Sequence, residues 1–144
     1  MSKPLTFKNT VEMGNYTEEY VQKKLWRYGY SVKRMKRINP FDLLVNETIR
    51  VEVKSATYQL HEDGGYHWRV GKPLGDRFDV CAIVLLLPVG KPLIRYFTRE
   101  EISKNIEDGA MSIHIIANSP DEPKIGNKSP LKVLGKPYKS KETK

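Results

Sequence analysis

Asn39-Pro40-Phe41-Asp42-Leu43-Leu44-Val45, then Asn46-Glu47-Thr48, then Ile49-Arg50-Val51-Glu52-Val53-Lys54-Ser55-Ala56, reads as a β-hairpin. Both arms are rich in aliphatic and β-branched residues, and a short polar segment separates them. Strand side chains alternate between faces, so Glu52 and Lys54 share one face while Val51 and Val53 turn the other way, into a core. A turn centred on Glu47 sets Asp42 directly across from Glu52, with Cβ atoms about 5 Å apart. A slip of one residue would send the two carboxylates to opposite faces.

Two carboxylates that close repel one another unless a cation intervenes. Mg²⁺ is commonly held by one or two carboxylates, with water and substrate phosphate oxygens completing its shell. A lysine two residues along the strand offsets charge on a phosphate or assists an attacking water. These are the parts of metal-assisted phosphodiester hydrolysis. Glu-x-Lys by itself is common, and a surface hairpin whose Glu52 and Lys54 pair with neighbours would carry the same residues.

Pro40-Phe41-Asp42 followed by Glu52-Val53-Lys54 resembles the PD-(D/E)xK nuclease superfamily, with Phe41 inserted between the usual Pro and Asp. In archaeal Holliday junction resolvases and related intron-encoded endonucleases, a helix with a Gly-x-x-x-Glu pattern precedes the Asp strand. Here that pattern is Gly14-Asn15-Tyr16-Thr17-Glu18, and the resemblance spans roughly residues 12 to 56. It implies a restriction-endonuclease-like core and a site in which Asp42, Glu52 and the Val53 carbonyl hold Mg²⁺ or Mn²⁺. It further implies that Glu18 binds a second ion or orients a water, and that Lys54 positions or activates the nucleophile.

Outside the hairpin, a helix is expected from Glu12 or Thr17 to Tyr28, closed by Gly29. Glu18, Val21 and Leu25 fall on one stripe of it, whereas Glu19 points toward Lys23 and Trp26. A glutamate at the edge of an apolar stripe either meets a cation there or favours the helix N-terminus electrostatically. Tyr30 to Ile38 reads as a strongly basic strand carrying Lys33, Arg34, Lys36 and Arg37, which leads straight to Asn39-Pro40. A run of charge is often a solvated face; beside an acidic cluster that must attract phosphate, it suits the DNA backbone.

The chain has 144 residues, enough for one domain with a real core. Its formal net charge of +8 favours a polyanionic partner. The single cysteine, Cys81, excludes an intrachain disulfide and lies in an apolar run, as a small core residue of a cytoplasmic protein would. No signal-like stretch opens the chain, and the apolar run Val80 to Val89 is too short to span a bilayer, so no membrane partner is expected.

Between Ser55 and Arg77 the periodicity weakens. Tyr58, Gln59, His61, Tyr66, His67, Trp68, Arg69 and Lys72 suit either nucleic-acid contact or an amphipathic hairpin. Extended chain there, where an archaeal resolvase would place a helix, leans toward the intron-endonuclease and restriction-like branch. Phe78 to Leu87 is a fully buried strand, Pro88 to Lys91 a turn, and Leu93 to Phe97 a returning strand. Asp79 reads as structural, bonded to Arg77 or a backbone amide. Thr98-Arg99-Glu100-Glu101 is a capping box opening a helix to about Asp108, closed by Gly109, and Met111 to Ala117 is a last strand. From Asn118 onward, seven lysines face three acidic residues among Pro, Gly and Ser. That composition reads as a basic, flexible tail over 118–144, in which only Leu131, Val133 and Leu134 could dock against something, behind a nuclease domain over 1–117.

The sequence therefore points to an α/β fold, a mixed central sheet flanked by helices. The expected function is a metal-dependent DNA endonuclease acting as a homodimer. Its catalytic set is Glu18, Asp42, Glu52 and Lys54, and its DNA contacts are Lys33, Arg34, Lys36, Arg37, Arg69, Lys72 and Arg77. The alternatives are a junction-resolving nuclease, an inactive nuclease-like binder, and a basic RNA-binding protein that needs no carboxylate cluster.

Overall fold

Helix α1 (Thr10–Tyr28) begins earlier than expected because Asn9 caps it, its side chain accepting the Glu12 N–H at 2.9 Å. Gly29 ends it in the left-handed region at φ +101°, and the following Tyr30 N–H returns to the Leu25 carbonyl at 3.1 Å. Thr17, Val21 and Leu25, spaced four apart, are the buried stripe. The computed structural model describes residues 7–36, 39–60, 62, 65–71, 77–87, 90–104, 112–117 and 125–137.

The strands are β1 (Val32–Arg34), β2 (Leu43–Val45), β3 (Ile49–Leu60), β4 (Tyr66–Gly71), β5 (Val80–Leu86), β6 (Leu93–Thr98) and β7 (Ser112–Ala117). β1 is shorter than the strand expected over Tyr30 to Ile38. β2 and β3 pair antiparallel with Leu43 opposite Val51 and Val45 opposite Ile49, the register of a turn centred on Glu47. Asn46 and Glu47 make that turn with φ of +51° and +66°.

β3 is the spine of a seven-stranded mixed sheet. Val51 to Thr57 run parallel to β5, and Tyr58 to Leu60 pair antiparallel with β4, which pairs with β7. β5 is buried along its whole length. Its Val80, Ala82, Val84 and Leu86 face α1, while Cys81, Ile83 and Leu85 face a second core with Trp68, Phe97 and Ile102. Ile102 belongs to α2 (Arg99–Lys104), so helices pack on both faces of the sheet. The capping box is reciprocal: Glu101 Oε1 accepts the Thr98 N–H at 2.9 Å, and Thr98 Oγ1 accepts the Glu101 N–H at 3.1 Å. Among the described residues no helix is long and apolar enough to cross a membrane.

Asp79 is structural and bonded to a backbone amide as expected, accepting the Arg50 N–H at 2.9 Å; the guanidinium it also binds, at 3.0 Å, is that of Arg50 and not Arg77, which ties the heads of β3 and β5 together. Residues 125–137, expected within a flexible tail, are packed on the domain. Asn127 bridges to Tyr96 on β6 and donates to Glu101 at 3.1 Å. Leu134 of α3 (Leu131–Leu134) is buried in the α1 core, and the Tyr30 hydroxyl donates to the Gly135 carbonyl. Residues 1–6, Pro88 and Val89 of the expected turn, the Asp108-Gly109 helix end, Met111, and the rest of the tail (118–124 and 138–144) lie outside the described residues.

Candidate active site

Asp42 stands immediately before β2. Its N–H donates to the Val51 carbonyl at 3.0 Å, and its Oδ2 accepts the Val53 N–H at 2.8 Å. A strand residue turns its N–H and C=O to the same edge. The Val53 carbonyl therefore faces the Asp42 side of β3, beyond the end of the β2 ladder, while Glu52 and Lys54 direct their backbone groups to β5. The local fold thus brings one carboxylate and one carbonyl to the same strand edge.

Glu52 lies across from Asp42 on β3, only 14 % exposed, with the Lys54 Nζ 3.8 Å from its Oε2. Glu18 reaches the same place from α1. Its Oε1 accepts from Arg34 at 3.1 Å, and the Asp42 carboxylate acts on both Glu18 and Glu52. The electrostatics follow from this crowding. Burial, then the Asp42 charge, raises the Glu18 carboxyl above its ordinary value, against the opposing pull of Arg34. Burial, then Asp42, pushes Glu52 up to about 7, with Lys54 acting against the shift and Glu18 adding to it.

Do these groups suit a divalent ion? Among the described residues no three Asp, Glu, His or Cys side chains are drawn into one ligand sphere. Arg34 holds Glu18, which leaves Asp42 and Glu52 as the close pair. Two carboxylates and a backbone carbonyl, all hard oxygen donors, are the protein share that Mg²⁺ takes when water and phosphate supply the rest. The donor set fits.

The basic residues divide. Arg34 and Lys36 line a cleft of about 410 Å³ beside Asp42 and Glu18. Lys33 is exposed on the opposite side of β1, and Arg69 and Arg77 are exposed away from the cleft. Arg37 and Lys72, like His61, lie outside the described residues. The aromatic stretch belongs largely to the interior: Trp68 is fully buried with its Nε1 donating to the Leu86 carbonyl at 3.0 Å. Tyr58 and Tyr66 pack against the same core, and His67 is buried. Thr10, Asn15 and Asn39 also line the cleft, and the hairpin and helix patterns gave no sign of them.

No protein-family model and no curated protein matches the sequence. Among solved structures, Hjc, a Holliday junction resolvase from the archaeal hyperthermophile Archaeoglobus fulgidus, is similar with a TM-score of 0.50 at 14% sequence identity. The match covers 88% of this chain and 99% of that one. The two chains share a fold. Phe41, between Pro40 and Asp42, leaves Asp42 in register with β3, because the β2–β3 pairing is counted from the turn and not from Pro40. The neighbour is an archaeal resolvase even though β4, an extended strand, follows the Glu-x-Lys strand here.

Proposed function

We propose that the chain is a metal-dependent endodeoxyribonuclease of the PD-(D/E)xK type. The observation that carries this reading is the meeting of Glu18, Asp42 and Glu52 from three elements, with Lys54 beside Glu52. Half-buried, mutually repelling carboxylates are costly to a fold, and such strain collects at functional sites. An inactive binder or an RNA-binding protein has no use for the arrangement.

Asp42, Glu52 and the Val53 carbonyl would hold Mg²⁺ or Mn²⁺, which when bound supplies a Lewis acid for the phosphate and an acidified water. The chain's own groups do the rest. The Val53 N–H fixes one Asp42 oxygen and leaves the other to face the site. Lys54 places a cation where charge builds on the phosphate oxygens and offsets it. Glu18, balanced by Arg34, is positioned to accept a hydrogen bond from the attacking water. The positive charge of the whole chain draws the polyanion in. One small domain reaches one strand of a duplex, so cutting both strands calls for two copies, and a two-fold homodimer is the simplest arrangement. A buried free thiol suits a reducing cytoplasm.

The fold match to a junction resolvase favours one refinement, a branched substrate recognised by shape. The test is incubation with supercoiled plasmid, linear duplex and a four-way junction, in Mg²⁺ and in EDTA. Mg²⁺-dependent cleavage is expected, with paired cuts at the junction if the refinement holds. Cleavage of plasmid and duplex in preference to the junction would reject the refinement, and no cleavage of any substrate would reject the nuclease reading.

A further inference from the structure

Helix α1 carries a glycine that nothing among the described residues requires. Gly14 is the fifth residue of the helix, and a glycine in a helix interior costs about 1 kcal/mol relative to alanine. Its backbone is not left-handed, and a Cβ built on it meets nothing within 4 Å among the described residues. Neither conformation nor internal packing explains the missing side chain. Gly14 is also half-buried, so it does not simply lie on the outer face of the helix. It lines the cleft of about 410 Å³, with Asn15, Arg34, Lys36 and Asn39 around it and Glu18 and Asp42 at one end. The space kept open at Gly14 is therefore continuous with the candidate active site.

We propose that this cleft seats the sugar–phosphate backbone of the cut strand next to the scissile phosphate, and that Gly14 lets it approach α1 closely. The proposal rests on the nuclease reading and adds a substrate subsite to it. The volume lies at the low end of the roughly 300–1,000 Å³ of ligand clefts, which suits a nucleotide unit and not a duplex. Cations, amides and a hydroxyl are the groups that bind phosphate and sugar. The two amides are partly committed within the protein: Asn15 Oδ1 accepts from Arg34 at 3.4 Å, and Asn39 Nδ2 donates to the Lys36 carbonyl at 3.3 Å. A bidentate reading of a base edge needs both ends of an amide. These commitments favour contact with the backbone over readout of a base.

The test uses Gly14→Ala and Gly14→Leu in the full chain. Both should melt at or above the wild-type temperature, because the helix gains propensity, and both should bind Mn²⁺ as the wild type does. Affinity for a four-way junction, measured by fluorescence anisotropy in Ca²⁺ to hold turnover back, should fall about threefold for Ala and at least about tenfold for Leu, the scale of one obstructed contact. A folded Leu variant that binds DNA as tightly as the wild type overturns the proposal. Should Leu fail to fold, the graded loss in the Ala variant decides the matter, and unchanged affinity there overturns it equally. A wild-type chain that binds the junction yet cleaves nothing in Mg²⁺ sinks the nuclease reading alone, since the variants' affinities still report on the cleft. A wild-type chain that binds no DNA overturns both.

Discussion

Asp42 is held in place by the strand it faces, its Oδ2 bonded to the Val53 N–H at 2.8 Å. Glu52 bears the strain of the pairing. Its carboxyl rises from an ordinary 4.5 to about 7 in the folded chain, first through burial and then through Asp42. The sign follows from proton binding: the folded state keeps a proton that the unfolded chain releases above 4.5, so Glu52 lowers stability as pH rises from about 4.5 to about 7. Metal-free protein in EDTA should therefore gain melting temperature on Glu52→Gln at pH 8 and change little at pH 5. Parallel pH profiles for the two proteins would show that Glu52 is not the strained group. Mg²⁺ should likewise stabilise the wild type more at pH 8 than at pH 5, because ionised ligands bind it best.

The hairpin was legible because its information is local: a three-residue polar turn, and alternation that sends Val51 and Glu52 to opposite faces of the sheet. The phase of Val21 and Leu25 likewise brought Glu18 to the sheet. What escaped was non-local. Trp68 looked available for stacking on bases because nothing in sequence shows that the Leu86 carbonyl, 18 residues away, satisfies its indole N–H. The pairing of β4 with β7 joins segments across a long intervening stretch. In the C-terminal segment Ile125, Val133 and Leu134 are diluted by lysines, so composition favoured a mobile tail and could name Val133 and Leu134 as residues able to dock without showing the two cores that the segment meets. That docking has a pressure point at Gly126, where φ is +77° and a Cβ would sit 2.6 Å from the Phe97 ring. Gly126→Ala should cost on the order of 1–3 kcal/mol in denaturant melts. No loss would mean that the segment does not bear on Phe97 in solution.

At the scale of the molecule, β3 joins two cores and carries the candidate site where they meet the end of β2. Its Val51 and Val53 pack toward α1, while Glu52 and Lys54 lie on the side of Cys81 and Ile83. Glu18 reaches around from the α1 side, so three carboxylates from three elements converge only in the assembled domain. The central claim is that Asp42 and Glu52 are needed for chemistry and not for DNA binding. It is tested most directly by single-turnover cleavage of a four-way junction with enzyme in excess, comparing wild type, Asp42→Asn and Glu52→Gln, with affinities measured alongside. Each variant should bind as tightly as the wild type or slightly tighter, having lost a negative charge near phosphate. In Mg²⁺ each should cleave at least about a hundredfold more slowly, a loss of roughly 2.7 kcal/mol of transition-state stabilisation. Wild-type cleavage rates in either variant, or wild-type cleavage that persists in EDTA, would contradict the assignment.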